Sequence, residues 1–308
     1  FQLFKYDKEI VKRCDILFSI TGDYTGSFKP TIGMSRNMLL YERDIWREIK
    51  SPKEIIRFWL NFKKQQKCFK GAKGIIFISR YAKKYASDIL PIRDKNRKII
   101  HHGISSRFLG KTKIQKNISE FSLDNPYKFL YVSTVHIYKN QWNVVKAIAK
   151  LRNEGFPVVI NLVGGVIFMP AGKKLFKAID EVDPKREFIF FKGNVANNQI
   201  EEYYQNADGI VFASTCENMP NILIESMASG VPIACSDKEP MPEFLKTGGY
   251  YFDAKSIHSI FTTLKSFLNS PKEREIKSTE NLAIINSFSW EKTSKETFEY
   301  IIKIFNAE

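Results

Sequence analysis

The sequence predicts an α/β fold in which parallel sheets are divided over two domains, and three observations support this. The chain has 308 residues, which is enough for two domains of ordinary size. From residue 128 onward, short apolar runs bounded by Gly or Asn alternate with amphipathic segments of helical length. A polar stretch at 105–127 separates this part from the preceding one. The alternation is typical of buried parallel strands, because helices cover both faces of such a sheet.

The first 120 residues contain three strand-like runs with helical pattern between them. The runs are DILFSI (15–20), GIIFIS (74–79) and KIIHHG (98–103), and the main helical segment is PKEIIRFWLNFKKQQKCFKGA (52–72). We expect residues 1–122 to form a partial N-terminal domain with its linker. The chain begins at Phe1 and shows neither an initiator Met nor a signal peptide, which favours a processed product or a fragment.

The second domain is expected to span residues 123–286, and its elements follow one another in a regular order. Strands are predicted at 128–134, 157–165, 187–193, 208–214 and 231–237, and helices at 140–155, 197–207 and within NILIESMAS (221–229). The last segment, SWEKTSKETFEYIIKIF (289–305), is amphipathic and opens with a Ser that can cap a helix. It is predicted to form a closing helix within 287–308.

Composition argues against a membrane-spanning or metal-stabilised protein. No stretch of eighteen or more uncharged apolar residues is present. Reduced core thiols are favoured over disulfides or a metal site for the four cysteines, Cys14, Cys68, Cys216 and Cys235. The four histidines show no ligand spacing. The acidic stretch at 178–188 lacks an Asp-x-Asp pair and is interpreted as a surface loop.

The net charge of +15 comes from the first 120 residues, where 27 basic residues face 11 acidic ones. This asymmetry indicates an anionic partner for the first domain, the alternative being a lysine-rich solvated surface. Region 50–98 holds 15 basic and 3 acidic residues. One predicted helix there combines aromatic and basic residues, namely Phe58, Trp59, Phe62, Lys63, Lys64 and Lys67. Such a helix suits an anionic membrane surface, unless its aromatic residues belong to the core.

A candidate ligand site lies in the loops that follow the predicted strands. In an open α/β sheet, ligands bind beyond the carboxyl ends of the strands. Lys139 lies in the first of these loops in the second domain, just ahead of a predicted helix. A lysine there, together with the free N–H groups of the helix, can hold a diphosphate. The alternative is a solvated lysine, which the helix dipole would slightly disfavour.

Two glutamates, Glu217 and Glu225, flank an apolar turn in CENMPNILIESMASGVPIA (216–234). Glu225 is predicted in the first turn of a helix, where a carboxylate is favoured, and its two oxygens suit the vicinal hydroxyls of a ribose. Glu217 can accept hydrogen bonds from a second sugar. The alternative is a capping acid and an unrelated loop acid. Pro220 and the small turn leave three N–H groups to face a ligand, those of Met219, Asn221 and Ile222.

Several stretches together resemble the nucleotide-sugar-binding domain of GT-B glycosyltransferases of family 4. They include LVGG (162–165), FKGNV (191–195), YYQNADGIVFASTCENMPNILIESMASGVPIACSD (203–237) and PEFL…GGYYFD (242–253). The signature of that family is a pair of Glu residues separated by seven residues and followed by the pattern small-x-small-Gly-x-Pro. KGIIFISRYAKK (73–84) and KIIHHGISSRF (98–108) resemble the last strands of its acceptor domain. The resemblance implies two Rossmann-like domains that face a cleft, an incomplete N-terminal domain, and a last helix that crosses back to it.

The resemblance also implies roles for individual residues. Lys139 would neutralise the departing diphosphate, and Glu225 would hold the ribose. Glu217 would hold hydroxyls of the transferred sugar, helped by the backbone of 218–221, which includes Asn218. The base would be bordered by Gly164, Gly193 and Asn194.

Three positions depart from the family pattern. Thr134 stands where the family usually has an Arg, so one cation of the leaving-group site is missing. His136 would then help to hold the leaving group. Asn140 stands where a Gly often follows the Lys. In GMSRNMLLYE (33–42), Arg36 and Asn37 stand where the family often has a His, and their roles are left open.

The sequence therefore predicts a hexosyltransferase that uses a nucleotide-diphosphate sugar and a saccharide or lipid-linked acceptor, in surface polysaccharide or lipopolysaccharide synthesis. Transfer is expected to retain configuration without a metal or other cofactor, by same-face attack guided by the leaving phosphate. The expected location is cytoplasmic, peripheral at the inner face of the plasma membrane. The alternatives are a non-catalytic nucleotide-sugar-binding relative and, less favoured because no nucleic-acid motif is present, a nucleic-acid-binding protein.

Overall fold

The computed structural model describes residues 13–92 and 94–307. The chain divides into two compact units. The first comprises Phe1–Gly103, Glu217–Met219 and Phe288–Glu308, and the second comprises Ile104–Cys216 and Pro220–Ser287. The first twelve residues of the predicted N-terminal domain, Arg93 and the last residue of the closing segment lie outside the described residues. The domain bounds predicted from the sequence stay a prediction.

Each unit contains one parallel sheet, which confirms the predicted α/β class. The first sheet consists of β1 (Leu17–Ser19), β2 (Thr31–Ser35), β3 (Gly74–Phe77) and β4 (Asn96–Ile99), in that order. The second consists of β5 (Tyr127–Val132), β6 (Val158–Val163), β7 (Ile189–Gly193), β8 (Gly209–Phe212), β9 (Ile233–Ser236) and β10 (Gly249–Phe252). Its strands are ordered β10-β9-β8-β5-β6-β7, and all neighbours are parallel.

The α-helices of the described residues are distributed over both units. The first unit contains α1 (Arg43–Ile49), α2 (Pro52–Gly71) and α3 (Arg80–Ile89). The second contains α4 (Gln141–Asn153), α5 (Met169–Val182), α6 (Ile200–Gln205), α7 (Asn221–Ala228), α8 (Met241–Leu245), α9 (Ile257–Asn269) and α10 (Pro271–Ile285). The last helix, α11 (Trp290–Asn306), belongs to the first unit. None of the helices in the described part of the chain is long and apolar enough to cross a membrane.

Two expectations about the first sheet are wrong. β2 is completely buried but was not among the predicted strands, because TIGMS mixes polar and small residues with apolar ones. The strand predicted at 98–103 instead spans Asn96–Ile99. The two histidines that follow it make other contacts. The Nδ1 atom of His101 lies 3.0 Å from the carbonyl oxygen of Ile78, and the N–H of His102 contacts the Sδ of Met219 at 3.1 Å.

Capping and close packing hold the helices of the first unit on its sheet. Ser289 caps α11 by accepting a hydrogen bond from the N–H of Lys292 at 3.1 Å, as predicted. The Tyr300 hydroxyl donates to the carbonyl of Asn96 at 2.7 Å and accepts from the N–H of Ile75 at 3.2 Å. These two bonds fasten α11 to β3 and β4. Gly74 permits the approach, since a Cβ there would lie 2.8 Å from the Tyr300 hydroxyl.

The acidic stretch at 178–188 is a surface loop only at 184–187, which is exposed and lies outside the helices. α5 continues through Val182, and Asp183 is 2% exposed. Its carboxylate accepts hydrogen bonds from the N–H groups of Glu187, Phe188 and Ile189 at 2.8, 3.0 and 2.8 Å. A carboxylate that accepts three backbone hydrogen bonds is well stabilised without a cation, and it turns the chain into β7.

All four cysteines are free thiols, and Cys68, Cys216 and Cys235 are buried as predicted. The prediction is wrong for Cys14, which is exposed because it lies ahead of the first strand of the sheet.

Candidate functional site

The loops after β5, β6 and β7 lie together at the carboxyl ends of these strands. The N–H of Ser133 donates to the carbonyl of Val163, and the N–H of Gly164 donates to the carbonyl of Gly193, each at 2.8 Å. The N–H of Val135 donates to the carbonyl of Gly165 at the same distance. The structure therefore brings three of the predicted loops into one hydrogen-bonded cluster.

Glycine allows the backbones of these loops to approach one another. Gly164 has a φ of +135°, and a Cβ there would lie 2.1 Å from the carbonyl oxygen of Ser133. A Cβ on Gly165 would lie 2.4 Å from the side-chain oxygen of Asn194. Gly193 has a φ of +64°, which side chains rarely adopt. Of the residues predicted to border a base, Gly164 and Asn194 are thus tightly packed, whereas Gly193 is set by its backbone conformation.

Lys139 ends a 3-10 turn, Ile137–Lys139, directly before α4. The residue is 6% exposed, so the alternative of a solvated lysine is wrong. Its ammonium lies 5.1 Å from the ring centre of Tyr138 and 5.4 Å from that of Phe212. Aromatic faces attract a cation at such distances, so the two rings are favourable neighbours of the lysine side chain. The Tyr131 hydroxyl donates to the Lys139 carbonyl and fixes the turn.

Asn140 adopts the left-handed conformation with a φ of 52°, which explains why glycine suits this position. Its side-chain amide donates to the carbonyls of Tyr138 and Ala213 at 3.1 and 3.0 Å. These bonds join the loop after β5 to the loop after β8. The structure thus gives the Asn140 side chain a structural role, and its contact with a substrate stays a prediction.

Thr134 and His136 lie in the same loop and are held by their neighbours. Gln141, the first residue of α4, is buried and donates its side-chain amide to the carbonyl of Thr134 at 3.0 Å. His136 is 7% exposed and stacks on Phe168, with ring centres 4.9 Å apart. Gln141 was missed by the sequence analysis, because only the tertiary structure shows that its amide reaches back to Thr134.

Glu225 lies in the second turn of α7, whereas the sequence predicted it in the first turn. The N–H groups of Leu223 and Ile224 both donate to the carbonyl of Pro220, so the helix begins directly after this proline. Burial raises the pKa of the Glu225 carboxyl to about 7, while the charge of Arg107 and a hydrogen bond with Tyr204 act in the opposite direction. Desolvation, and not the helix dipole, therefore dominates the electrostatics of this carboxyl.

Arg107 is a further charged residue of this part of the second unit. Its guanidinium donates to the side-chain oxygen of Asn197 at 2.8 Å and lies 4.5 Å from the ring centre of Phe108. Phe108 is buried and packs edge-on against Tyr204, the neighbour of Glu225. This Arg-Phe pair ends KIIHHGISSRF (98–108), where no local sequence pattern predicts its contact with the surroundings of Glu225.

The segment Glu217–Met219 belongs to the first unit, where its side chains are well anchored. Asn218 is 5% exposed, its side-chain oxygen accepts from the Ser79 hydroxyl, and its amide donates to the carbonyl of Ser35, both at 3.0 Å. Only backbone groups of Asn218 are therefore left to serve the predicted sugar contact. The roles predicted for Glu217 and for the backbone of Met219, Pro220, Asn221 and Ile222 stay predictions.

Arg36 and Asn37, whose roles the sequence left open, differ in their surroundings. The side-chain oxygen of Asn37 accepts from the N–H of Leu39 at 3.0 Å and caps the 3-10 turn Met38–Leu40. Arg36 is exposed. Asn37 thus has a local structural function.

Comparison with known proteins identifies a family. The family described as Glycosyl transferases group 1 matches residues 113–281, which is more than half of the chain. O-antigen chain mannosyltransferase B of Escherichia coli is 28% identical over 110 residues, covering 36% of this chain and 29% of that protein. Over the curated relatives that the chain matches, the alignments cover from 29% to 54% of the relatives' own length. The chain thus spans about half of their length or less.

Solved structures share the fold over nearly the whole chain. Sucrose-phosphate synthase from Thermosynechococcus elongatus has a TM-score of 0.80 at 14% identity, covering 100% of this chain and 78% of that one. Anabaena HepE in complex with UDP-glucose has a TM-score of 0.78 at 16% identity, covering 98% and 82%. This similarity confirms the GT-B fold predicted from the sequence. Since the family match extends over more than half of the residues, the chain belongs to the glycosyl transferases group 1 family.

Proposed function

We propose that the protein is a glycosyltransferase that binds a nucleoside-diphosphate sugar in its second unit and transfers the sugar to an acceptor hydroxyl. The observation that carries the proposal is the buried ammonium of Lys139, which lies directly before the N-terminus of α4. A buried cation beside the free N–H groups of a helix is suited to a diphosphate. Family membership and the fold shared with the UDP-glucose complex of HepE support the proposal.

Each group at this site has a function in the proposed reaction. The bond between the anomeric carbon and the phosphate oxygen breaks, and the acceptor oxygen forms the new bond to that carbon. Negative charge grows on the leaving diphosphate, and Lys139 together with the α4 N-terminus stabilises it. The acceptor proton passes to the leaving phosphate oxygen on the same face, so configuration is retained and no metal is needed. Glu225 accepts hydrogen bonds from the ribose hydroxyls. For Glu217, which belongs to the first unit, the contact with hydroxyls of the sugar stays a prediction from the sequence.

The acceptor is proposed to be a saccharide or lipid-linked saccharide, and the transferred sugar a hexose, in surface polysaccharide or lipopolysaccharide synthesis. The support comes from the Escherichia coli relative, which is named a mannosyltransferase of the O-antigen chain. That name fits the predicted transfer of a hexose to a growing surface saccharide.

The first unit is proposed to contact an anionic membrane surface through α2, at the inner face of the plasma membrane. Three apolar side chains of α2 are about half exposed, namely Ile56, Trp59 and Leu60 at 58%, 50% and 47%. Trp59 is thus not a core residue, whereas Phe58 is buried. Lys63 and Lys64 are exposed on the same helix. Apolar and basic residues side by side suit the interface of an anionic bilayer.

A panel of UDP-, GDP- and ADP-sugars tests the proposed function. Calorimetry measures their binding, and the release of nucleotide measures turnover. We expect one nucleotide class to bind and Lys139→Met to weaken its binding, whereas Lys150→Met, at an exposed lysine of α4, serves as the matched control. Binding that ignores Lys139 would contradict the assigned site. Binding without release of nucleotide would favour the alternative of a non-catalytic relative. That alternative is motivated by Thr134, which stands where the family usually has an Arg.

A further inference from the structure

A cavity of about 370 Å³ opens in the first unit where α1, α2 and the end of α3 meet. Its wall combines aromatic and aliphatic side chains with polar surface, and two cations, Arg43 and Lys63, line it. The wall residues used below are Tyr41, Trp46, Trp59, Phe62 and Ile89. None of these residues belongs to the donor site proposed above, so the cavity is available for a different ligand.

The aromatic wall is built by tertiary packing. The ring of Tyr41 packs edge-on against Phe62, with centres 5.7 Å apart, and its hydroxyl donates to the side chain of Gln65. The indole N–H of Trp46 donates to the carbonyl of Leu39 at 2.6 Å. The polar atoms of both rings are thus satisfied within the protein. What Tyr41 and Trp46 present to the cavity is apolar, which suits a hydrocarbon.

The charge at the cavity has one sign. Arg43 and Lys63 are both exposed, and the described residues that line the cavity include no acid. The Lys63 ammonium lies 5.8 Å from the ring centre of Trp59. Two cations beside an apolar cavity suit an amphiphile in which an anionic group follows a hydrocarbon chain. A neutral hydrocarbon would provide no anionic group for Arg43 and Lys63, and a free phosphate would not fill the cavity.

The apolar wall continues onto the outer surface of α2. Trp59 both lines the cavity and is 50% exposed, and Ile56 and Leu60 adjoin it on the helix. We propose that the cavity holds the hydrocarbon chain of one anionic phospholipid of a membrane surface, with its phosphate at Arg43 and Lys63. The size of the cavity suits part of a chain, so the rest of the lipid stays in the bilayer. The inference rests on the membrane contact proposed above and is independent of sugar transfer.

The first test uses a soluble amphiphile, decyl phosphate below its critical micelle concentration, and isothermal titration calorimetry. We expect one molecule of decyl phosphate to bind per chain. Decyl maltoside and inorganic phosphate should each bind at least about tenfold more weakly than decyl phosphate. Ile89→Trp, which fills the cavity from α3, is expected to lower the affinity about tenfold or more. Ile89→Phe is a smaller filler that keeps the test usable if the tryptophan variant does not fold.

Ile276→Trp is the matched control, because Ile276 is 59% exposed on α10 of the second unit and does not line the cavity. It should leave the affinity for decyl phosphate unchanged. Arg43→Gln and Lys63→Gln should weaken decyl phosphate but not decyl maltoside. Decyl phosphate binding that is equal in the wild type and in both Ile89 variants would overturn the cavity assignment.

The second test uses vesicles of phosphatidylcholine with about one fifth phosphatidylglycerol, and vesicles of phosphatidylcholine alone. Flotation should show binding to the anionic vesicles that is reduced by Ile89→Phe. If decyl phosphate binds but the anionic vesicles do not, the membrane lipid is the wrong occupant and a lipid-phosphate substrate takes its place. If the vesicles bind wild type and Ile89→Phe equally, the membrane contact stands and the cavity inference fails.

Discussion

The N–H of Gly164 donates to the carbonyl of Gly193 at 2.8 Å and joins the ends of β6 and β7 at the candidate site. Both glycines have positive φ, but their surroundings differ. A Cβ on Gly164 would lie 2.1 Å from the carbonyl oxygen of Ser133, whereas one on Gly193 would meet nothing closer than the ring of Phe191 at 3.8 Å. Gly164 is therefore required for space as well as conformation, and Gly193 for conformation alone.

This difference predicts unequal costs for the two alanine substitutions. Gly193→Ala should lower the free energy of unfolding by about 1 kcal/mol, which is the cost of a left-handed alanine. Gly164→Ala should cost about 3 kcal/mol or more, since the backbone of the loop after β5 must also move. Urea denaturation of both variants measures the difference. Equal losses of the free energy of unfolding in the two variants would show that the loop after β5 can move away from a Cβ at position 164 with little cost.

Asn140 combines a left-handed backbone with side-chain hydrogen bonds to Tyr138, Ala213 and Thr215, and two substitutions separate these contributions. Asn140→Gly keeps the conformation and loses the bonds, which should cost about 1–2 kcal/mol. Asn140→Ala loses the bonds and adds the conformational strain, so it should cost about 1 kcal/mol more than the glycine variant. Denaturation curves of the two variants give both values. An alanine variant as stable as the glycine variant would contradict the strained backbone.

The pKa of Glu225 predicts that nucleotide binding depends on pH. Burial raises this pKa to about 7, and only the ionised carboxylate offers all its oxygens as acceptors to a ribose. Affinity should therefore rise with pH, with a midpoint near 7, and level off once the carboxyl is fully ionised. Glu225→Gln should bind more weakly and lose this dependence. Arg107→Met should shift the midpoint to higher pH, because the charge of Arg107 favours the ionised form. Calorimetric titrations across the pH range measure all three.

The same shift has a consequence for stability, and its sign follows from proton binding. Between the ordinary value of 4.5 and about 7, the folded state binds the Glu225 proton more tightly than the unfolded state. The contribution of Glu225 to the free energy of unfolding therefore decreases as the pH rises through this window. Glu225→Gln should remove this decrease. A steeper loss of stability in the variant would contradict the raised pKa.

The second sheet could be predicted from the sequence because its strands are continuous apolar runs. β5, β6 and β8 are almost entirely buried, and burial on both faces gives such runs. β2 is equally buried but contains Thr31, Gly33 and Ser35, whose fit depends on neighbours. Gly33, for example, faces Phe69 of α2, and a Cβ there would lie 2.9 Å from that ring. Such a strand cannot be identified without the helix that packs against it.

The candidate site shows a similar division. Lys139 and the glycines could be named because a helix start and the strand ends fix their positions along the chain. The bonds of Asn218 to Ser35 and Ser79 connect residues more than a hundred positions apart, and no local pattern contains them. Of the neighbours of Glu225, Arg107 is likewise more than a hundred positions away, and Tyr204 lies on a different helix, α6. Sequence could therefore indicate which residues carry charge, but not how each charge is screened or buried.

Lys139→Met tests the electrostatic role of the lysine with little change in side-chain length. The ammonium lies over the rings of Tyr138 and Phe212, where a thioether also packs well. Affinity for the nucleoside diphosphate should fall about 10- to 100-fold, while affinity for the matching nucleoside stays unchanged. The rate of sugar transfer should fall further than the affinity, because charge grows on the diphosphate in the transition state. Lys150→Met is the control, since Lys150 is an exposed lysine of α4 whose ammonium also lies near an aromatic ring, 6.0 Å from the centre of Phe261. Equal losses in both variants, or an equal loss of nucleoside affinity, would remove Lys139 from the diphosphate site.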